Sequence, residues 1–182
     1  ALNLPVNIIA PSHGIIWRKE PLQIVKKYQE WAAQTPEKTA VILYDSMWDG
    51  TRHMAEAIGE GLAAESITYR IFYMPKADRN DVITEIFKAK AVIIGSPTFN
   101  QGLLPTITPI LEDIKGLKFQ NKIGGAFGCY GWSGESVQLL TGLLEESGFE
   151  ILGEGLRATW NPDADALKKA RAFGQKIAEQ TD

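Results

Sequence analysis

The apolar residues of this chain follow two different spacings, and these alternate along most of its length. The runs at 41–44 and 91–95 are almost wholly apolar, as are strands that are covered on both faces. Between them, Met54, Ile58 and Leu62 recur every four residues, which is the spacing of one helix face. From residue 39 onward the alternation predicts five strand–helix units, and therefore an α/β fold with a parallel sheet and helices on both faces.

The predicted elements divide the chain at residue 38. The five strands are 39–44, 67–73, 91–95, 123–128 and 151–159; the helices that follow them are 51–64, 80–88, 105–115, 136–147 and a last one from the Asn161-Pro162-Asp163 cap to about residue 180. Residues 1–38 do not fit this pattern and predict a short strand at 6–10, a helix at 21–33 and a linker at 35–38. We therefore expect one α/β domain over 39–182, preceded by a segment of other origin.

Charge and cysteine content exclude several classes of protein. The net charge of −3 without any Lys/Arg-rich run argues against nucleic-acid binding. Cys129 is the only cysteine, which excludes an intrachain disulfide and a cysteine metal cluster and is compatible with a reducing cytoplasm. No apolar run approaches the length of a membrane span. These features predict a cytoplasmic protein that binds neither nucleic acid nor membrane.

The loop after the first strand has the chemistry of an anion site. It carries Ser46, Gly50 and Thr51 and leads directly into a helix, whose first backbone N–H groups have no partner within the helix and favour negative charge. Neither of the two common glycine-rich phosphate fingerprints is present, so neutral donors would have to hold a phosphate, with Arg52 the nearby cation. Asp49 would have to point towards solvent. A plain helix cap is the alternative interpretation of this loop.

Two further loops follow the third and fourth strands, at the same edge of the predicted sheet. The first is Ser96-Pro97-Thr98-Phe99-Asn100-Gln101-Gly102 and the second is Tyr130-Gly131-Trp132-Ser133-Gly134-Glu135. Their hydroxyls, amide, aromatic rings and glycines suit a flat heteroaromatic ligand. Taken singly, the aromatic residues could equally pack on their own core. The convergence of three loops at one edge favours a phosphate seat beside a ring-binding slot.

These motifs resemble those of flavodoxin domains. SMWDGT resembles the flavodoxin loop for the FMN phosphate, and SPTFNQG and YGWSGE resemble the two loops that hold the isoalloxazine ring. The third loop is more similar to flavodiiron proteins (A-type flavoproteins), and IAPSHGIIWR resembles the end of their metallo-β-lactamase-like domain. The resemblance implies a flavodoxin-like doubly wound sheet with strand order 2-1-3-4-5, and residues 1–38 as the tail of a missing domain.

The resemblance also implies which residues hold FMN. Phosphate contacts would come from the Ser46 and Thr51 hydroxyls and the backbone of Met47, Trp48, Asp49, Gly50 and Thr51. Ser96, Pro97, Thr98, Phe99 and Asn100 would line the ribityl chain and one side of the flavin; Tyr130, Gly131, Trp132 and Gly134 would line the other. The sequence departs from the family at Asp49, where glycine is common.

The implied activity is electron transfer by FMN within a flavodiiron oxygen or nitric oxide reductase. Electrons would come from rubredoxin or from a flavin- or NADH-dependent reductase, and would pass to a di-iron centre of the partner in a head-to-tail homodimer. His13 matches a family iron ligand, but this chain has two histidines in all, so we expect no metal site and no catalytic side chain in it.

Two other functions are compatible with the same topology. An FMN-dependent NAD(P)H:quinone reductase would need an open hydride-transfer pocket over the flavin, next to Tyr130 and Trp132. A receiver-like switch would need an Asp after the third strand and a Lys after the fifth, where this chain has Ser96 and Trp160-Asn161. The second alternative is therefore disfavoured.

Overall fold

The structure is a computed structural model that describes residues 5–181, and the chain forms two compact units, 1–35 and 36–182. The first unit contains helix α1 (Leu22–Ala33), in which no residue is buried. Before α1, the backbones of Ile9 and Trp17 exchange hydrogen bonds of 3.1 and 2.9 Å. The strand predicted at 6–10 is wrong, since only this isolated bridge forms. Pro11 and Gly14 interrupt the segment before a ladder can extend.

The second unit alternates strands and helices along its length. Its elements are β1 (Glu37–Tyr44), α2 (Gly50–Ala64), β2 (Thr68–Tyr73), α3 (Arg79–Lys88), β3 (Ala89–Gly95), α4 (Thr108–Leu117), β4 (Ile123–Tyr130), α5 (Glu135–Glu146), β5 (Glu150–Ile151), β6 (Leu156–Thr159) and α6 (Ala164–Thr181). The predicted linker at 35–38 is partly strand, since β1 begins at Glu37.

All the strands pair in parallel in one sheet of order β2-β1-β3-β4-β5, and β6 also pairs with β4. The predicted fold and strand order are confirmed. The chain moves outward from β1 to β2, then crosses back to β3 on the other side of β1. The strand order therefore reverses between β1 and β3, and such a switch point leaves a crevice at the carboxyl ends of the strands.

Alternate residues of β1 pack into two separate hydrophobic cores, because successive side chains of a strand point to opposite faces. Ile42 belongs to the core formed with α2 and α6, whereas Val41 and Leu43 belong to the core formed with α3, α4 and α5. Each of these three residues is at most 2% exposed. Full burial of one such side chain contributes about 1.5–3 kcal/mol relative to exposure, so the two cores hold the strand ends in place.

The fifth predicted strand is interrupted, and the last helix has a different cap from the one expected. Gly153 and Gly155 adopt φ angles of 71° and 78°, which divide the strand into β5 and β6. The Asp163 carboxylate, rather than Asn161, accepts a 2.8 Å hydrogen bond from the Ala166 amide and begins α6. No helix among the residues described is long and apolar enough to span a membrane.

Candidate functional site

A cleft of about 310 Å³ opens at the carboxyl edge of the sheet, next to the switch point. This volume lies at the lower end of the range for small-molecule sites. The cleft receives residues from the loops after β1, β3 and β4, as predicted, and also from the turn after β6. Its lining consists of Ser46, Met47, Trp48, Gly50, Thr51, Pro97, Thr98, Cys129, Tyr130, Gly131, Trp132, Trp160 and Asn161.

The floor of the cleft is the amino end of α2. Asp49 precedes the helix with a φ of 60° and makes no side-chain cap. The first backbone hydrogen bond of the helix runs from the His53 amide to the Asp49 carbonyl, at 3.0 Å. Gly50 is buried, and a Cβ there would lie 2.9 Å from Cys129 Sγ and 3.1 Å from the Trp160 carbonyl oxygen. Only glycine therefore fits, and the helix terminus faces the cleft without an acidic residue in its first turn.

The Thr51 side chain is buried without a conventional hydrogen bond. It is 1% exposed, and its hydroxyl oxygen has no partner of ordinary hydrogen-bond geometry in the part of the chain described. The Cys129 thiol, a weak hydrogen-bonding group, lies close enough to Thr51 for the hydroxyl to lower the thiol pKa. An unsatisfied buried hydroxyl costs about 1–3 kcal/mol. A ligand oxygen that accepts from Thr51 would remove this cost.

The Cys129 thiol is neutral at ordinary pH. Burial raises its pKa to about 11, against a smaller opposing effect of the Thr51 hydroxyl. Its Sγ also contacts the Met54 sulfur at 3.6 Å. A protonated thiol beside the helix terminus brings no negative charge to the floor of the cleft, so it does not oppose an anion there.

Asp49 points away from the cleft, as an anion site requires. Its side chain is 62% exposed and lies 3.2 Å from Arg52 Nε, and Glu56 lies 3.9 Å from the same nitrogen. Asp49 is absent from the cleft lining. Its left-handed backbone also explains why glycine suits this position in the family that the motif resembles, because glycine adopts positive φ without a steric cost. Arg52 is shared between two carboxylates.

The loops after β1 and β3 are held by buried polar side chains. The Asp45 carboxylate is 6% exposed and accepts hydrogen bonds from the Ser46 amide, at 2.6 Å, and from the Thr106 hydroxyl. Ser96 is fully buried, and its oxygen accepts from the Leu104 amide at 3.0 Å. Ser96 therefore stabilises its own loop and does not line the cleft.

The middle of the loop after β3 is a tight two-residue hairpin. Phe99 and Gly102 exchange backbone hydrogen bonds of 3.1 and 2.8 Å, with Asn100 and Gln101 both at positive φ. This places the hairpin tip outside the cleft lining. Thr98 stays at the cleft, where its hydroxyl lies 3.0 Å from Ser136 Oγ and accepts from the Ser136 amide.

Exposed indole rings surround the mouth of the cleft. Trp48, Trp132 and Trp160 are 83%, 88% and 64% exposed. The rings of Trp132 and Trp160 meet edge to face with centroids 5.4 Å apart. Large aromatic residues this exposed are unusual unless they meet a ligand or partner. Gly134, with a φ of 80°, is buried beneath the Tyr130 ring.

The cleft brings together part of the predicted set. Ten predicted residues line it: Ser46, Met47, Trp48, Gly50, Thr51, Pro97, Thr98, Tyr130, Gly131 and Trp132. Five do not: Asp49, Ser96, Phe99, Asn100 and Gly134. Cys129, Trp160 and Asn161 were missed. The rule that ligands sit beyond the carboxyl ends of parallel strands applies equally to the fifth strand, so it could have identified Trp160 and Asn161.

Comparison with known proteins agrees with this architecture. Residues 42–174 match the family model described as flavodoxin. The chain belongs to the flavodoxin family. A flavodoxin domain binds FMN, and two features of this one fit the group. The unsatisfied Thr51 hydroxyl and the amino end of α2 suit its phosphate, and the indole-lined mouth suits its ring.

The relatives of this flavodoxin domain are larger proteins. An anaerobic nitric oxide reductase flavorubredoxin from Klebsiella pneumoniae is 44% identical over 180 residues, which are 98% of this chain and 37% of the relative. The rubredoxin:oxygen oxidoreductase of Desulfovibrio gigas superposes with a TM-score of 0.93 at 38% identity, over 96% of this chain and 44% of that one. The Giardia intestinalis flavodiiron protein gives 0.90 at 25% identity, over 97% and 44%. This chain thus corresponds to the flavodoxin-like part of flavodiiron and flavorubredoxin proteins.

His13 lies outside the flavodoxin domain and is exposed in the turn between Ile9 and Trp17. Across residues 5–181, no group of three or more His, Cys, Asp or Glu side chains is arranged to hold a metal ion. In flavodiiron proteins the di-iron site belongs to the other domain.

Proposed function

We propose that the cleft-lining residues of the loops after β1, β3 and β4 hold FMN and that the domain transfers electrons through it. The observation that carries the proposal is the buried, unsatisfied Thr51 hydroxyl at the amino end of α2. A helix terminus alone occurs in many proteins without a ligand. A buried donor with no partner in the same place is costly unless a ligand oxygen accepts from it.

Different parts of the cleft would hold different parts of the cofactor. The Thr51 and Ser46 hydroxyls and the first amides of α2 would donate to the phosphate. Pro97 and Thr98 would face the ribityl chain and one side of the ring, and the 130–132 segment would face the other. When bound, FMN supplies the redox chemistry. Asp45 and Ser96 do not contact the cofactor in this arrangement; they fix the loops that do.

The role within the whole protein follows from its relatives as a proposal. Electrons would enter from rubredoxin or from a flavin- or NADH-dependent reductase, and leave to a di-iron centre in the partner subunit of a head-to-tail homodimer. The substrate would be nitric oxide or oxygen, as the names of the relatives suggest. Residues 1–38 would be the end of the metallo-β-lactamase-like domain, with His13 matching an iron ligand. The single cysteine suits a cytoplasmic location.

Electron entry can be tested on the FMN-loaded chain. Anaerobic mixing with reduced rubredoxin in a stopped-flow instrument should bleach the visible absorbance of the bound flavin. Mixing with NADPH or NADH alone should give much slower bleaching, because a domain that receives electrons from a protein donor needs no nicotinamide site of its own.

The same preparation distinguishes the quinone reductase alternative. Steady-state oxidation of NAD(P)H by a quinone, at rates typical of enzymes, would favour that alternative over electron transfer from a protein donor. Failure of the chain to bind FMN at all would contradict both functions.

A further inference from the structure

The turn between β6 and α6 reaches the cleft although none of the three loops predicted to bind the cofactor includes it. We propose that Trp160 and Asn161 form a fourth flavin-binding segment, with Trp160 on the ring side and Asn161 on the phosphate side. This inference rests on the proposed function and extends it to residues outside the resemblance. Both residues line the cleft.

The backbone of Trp160 is fixed against the loop after β4. Its amide donates a 2.8 Å hydrogen bond to the Tyr130 carbonyl, and its backbone has a φ of 54°. A tryptophan in the left-handed region is a genuine outlier, which a surrounding structure must enforce. The strained conformation therefore marks a position that the neighbouring chain determines.

The Trp160 ring shapes the slot that the loop after β4 forms. A Cβ on Gly131 would lie 3.2 Å from Trp160 Cη2, so the indole packs directly on the Gly131 backbone. The ring also meets Trp132 edge to face. Trp160 is nevertheless 64% exposed, which leaves apolar ring surface at the mouth of the cleft for a planar ligand.

Asn161 lies at the other end of the turn, beside the first residue of α2. Its Oδ1 is 3.3 Å from the position that a Cβ on Gly50 would occupy. The Asn161 side chain makes no hydrogen bond to any of the residues described. A half-turn of the amide would bring its Nδ2 donors to the same place. An uncharged donor next to the helix terminus and Thr51 suits an anionic oxygen.

The two residues should therefore differ in which ligand they affect. FMN and riboflavin share the isoalloxazine ring and the ribityl chain, and only FMN carries the phosphate. A ring-side residue should contribute to both affinities, whereas a phosphate-side residue should contribute to that of FMN alone. This difference separates the inference from a general effect of the turn on folding.

Asn161 is tested by titrating FMN and riboflavin into the flavin-free protein and the variants Asn161→Ala and Asn161→Asp. Asn161→Ala should weaken FMN about tenfold, the loss expected for one hydrogen bond to a charged group, and leave riboflavin unchanged. Asn161→Asp should weaken FMN further, with a loss that shrinks at high salt. Gln180→Glu, which adds the same charge in the last turn of α6, is the control and should match the wild type.

The phosphate-side role is overturned if Asn161→Ala binds FMN as the wild type does, whatever Asn161→Asp does. Equal losses for FMN and riboflavin overturn it as well. In either case, wild-type FMN binding in the same titrations would leave the proposed function standing. If the wild-type protein itself bound no FMN, the proposed function would be wrong.

Trp160 is tested with Trp160→Ala in the same titrations, after its unfolding transition is compared with that of the wild type. FMN and riboflavin should weaken by the same factor, roughly fivefold to tenfold, because the variant loses aromatic contact with the ring. Trp160→Phe should lose less and serves if the alanine variant does not fold. Leu117→Ala, an exposed apolar residue at the end of α4, is the control. Unchanged affinities, or a loss confined to FMN, would overturn the ring-side role.

Discussion

At the scale of single residues, the polar side chains of the candidate site differ in whether they have a hydrogen-bond partner. Asp45 and Ser96 are buried and hydrogen-bonded, so they stabilise the loops. Thr51 is buried and unsatisfied. Asp49 is exposed and pairs with Arg52 of the first turn of α2. Of these groups, the Thr51 hydroxyl is the one that a phosphate oxygen would satisfy.

The Asp49–Arg52 pair predicts that removal of one negative charge will tighten FMN binding. Asparagine also tolerates a left-handed backbone, so Asp49→Asn should keep the turn and leave Arg52 freer to attract the phosphate. FMN affinity should rise about two- to fivefold, in keeping with exposed ion pairs, and riboflavin affinity should not change. Isothermal titration at low and high salt measures both. Asp81→Asn on α3 is the charge-matched control; unchanged or weaker FMN binding by Asp49→Asn would contradict the prediction.

A second residue far from the cleft predicts a dependence of stability on pH. The Lys122 side chain is 3% exposed, and its Nζ donates to the carbonyls of Phe87 and Ala89 at 2.7 and 2.5 Å. Burial lowers its pKa from 10.5 to about 8. Between these two values the unfolded chain holds a proton that the folded chain has released. The Lys122 contribution to the free energy of unfolding therefore rises with pH across this window and is flat below about pH 8.

Urea denaturation of the wild type and Lys122→Met across that pH range measures this contribution. The wild-type free energy of unfolding minus that of the variant should increase as the pH rises from about 8 to about 10.5. The thiol of Cys129, whose raised pKa acts in the opposite direction at alkaline pH, is common to both proteins and cancels. A constant or falling difference would show that Lys122 is not desolvated in this way.

At the scale of elements, the sheet positions the site and two helices meet unusually closely behind it. α2 and α6 pack against each other at Gly61 and Gly174. A Cβ on Gly61 would lie 2.1 Å from the Arg171 carbonyl oxygen, and one on Gly174 would lie 2.2 Å from the Ile58 carbonyl oxygen. Both clashes are with backbone, so rotation of a side chain cannot relieve them. α2, which carries the phosphate seat, therefore depends on this contact for its position.

A glycine-to-alanine substitution should have opposite effects on stability inside and outside this helix contact. Gly61→Ala should lower the free energy of unfolding by about 1–3 kcal/mol, as overpacking does. Gly142→Ala, within α5 and with no atom within 4 Å of the added carbon, should raise it by about 0.5–1 kcal/mol through helix propensity. Chemical denaturation measures both. Two changes of the same sign would contradict the packing argument.

The sequence predicted the strands and helices of 36–182 well because their apolar spacing is strong and consistent. It failed where a single backbone angle or a long-range contact decides the structure. The break at Gly153 and Gly155 needs two positive φ angles, and at Gly155 a Cβ would also lie 2.5 Å from Val137 Cγ1. Apolar spacing does not reveal either.

Prediction of the site had the same limit. Loop motifs predicted that Thr51, Thr98 and Trp132 lie at one edge of the sheet, and all three line the same cleft. The hairpin that turns Asn100 away from the cleft and the buried bond of Ser96 depend on hydrogen bonds to Gly102 and Leu104 that no local pattern indicates. The resemblance was confined to three loops and therefore omitted the fourth.

At the scale of the whole molecule, the features argued to bind the flavin lie within one compact unit. Every described residue of the two cores and of the cleft lining falls in 36–182. The chain itself covers 37% of the length of its flavorubredoxin relative. Cofactor binding should thus be a property of the unit 36–182 alone, and residues 1–35 should not contribute to it.

A protein restricted to residues 36–182 tests this division. It should bind FMN with the same Kd as the full chain, because no cleft-lining residue is removed. Fluorescence titration of FMN into both proteins, with circular dichroism to compare their folding, gives the result. A folded shorter protein with much weaker FMN binding would show that residues 1–35 contribute to the site.

The central claim is that the phosphate of FMN accepts a hydrogen bond from the otherwise unsatisfied Thr51 hydroxyl at the amino end of α2. The most direct test is the ratio of the Kd values for FMN and riboflavin in the wild type and in Thr51→Ala, with Thr51→Ser retaining the hydroxyl as the control. The account predicts that Thr51→Ala weakens FMN binding by on the order of 1–3 kcal/mol and affects riboflavin binding far less. Thr51→Ser should bind both ligands nearly as the wild type does. Equal losses for both ligands, or a wild-type chain that binds no FMN at saturating concentration, would contradict it.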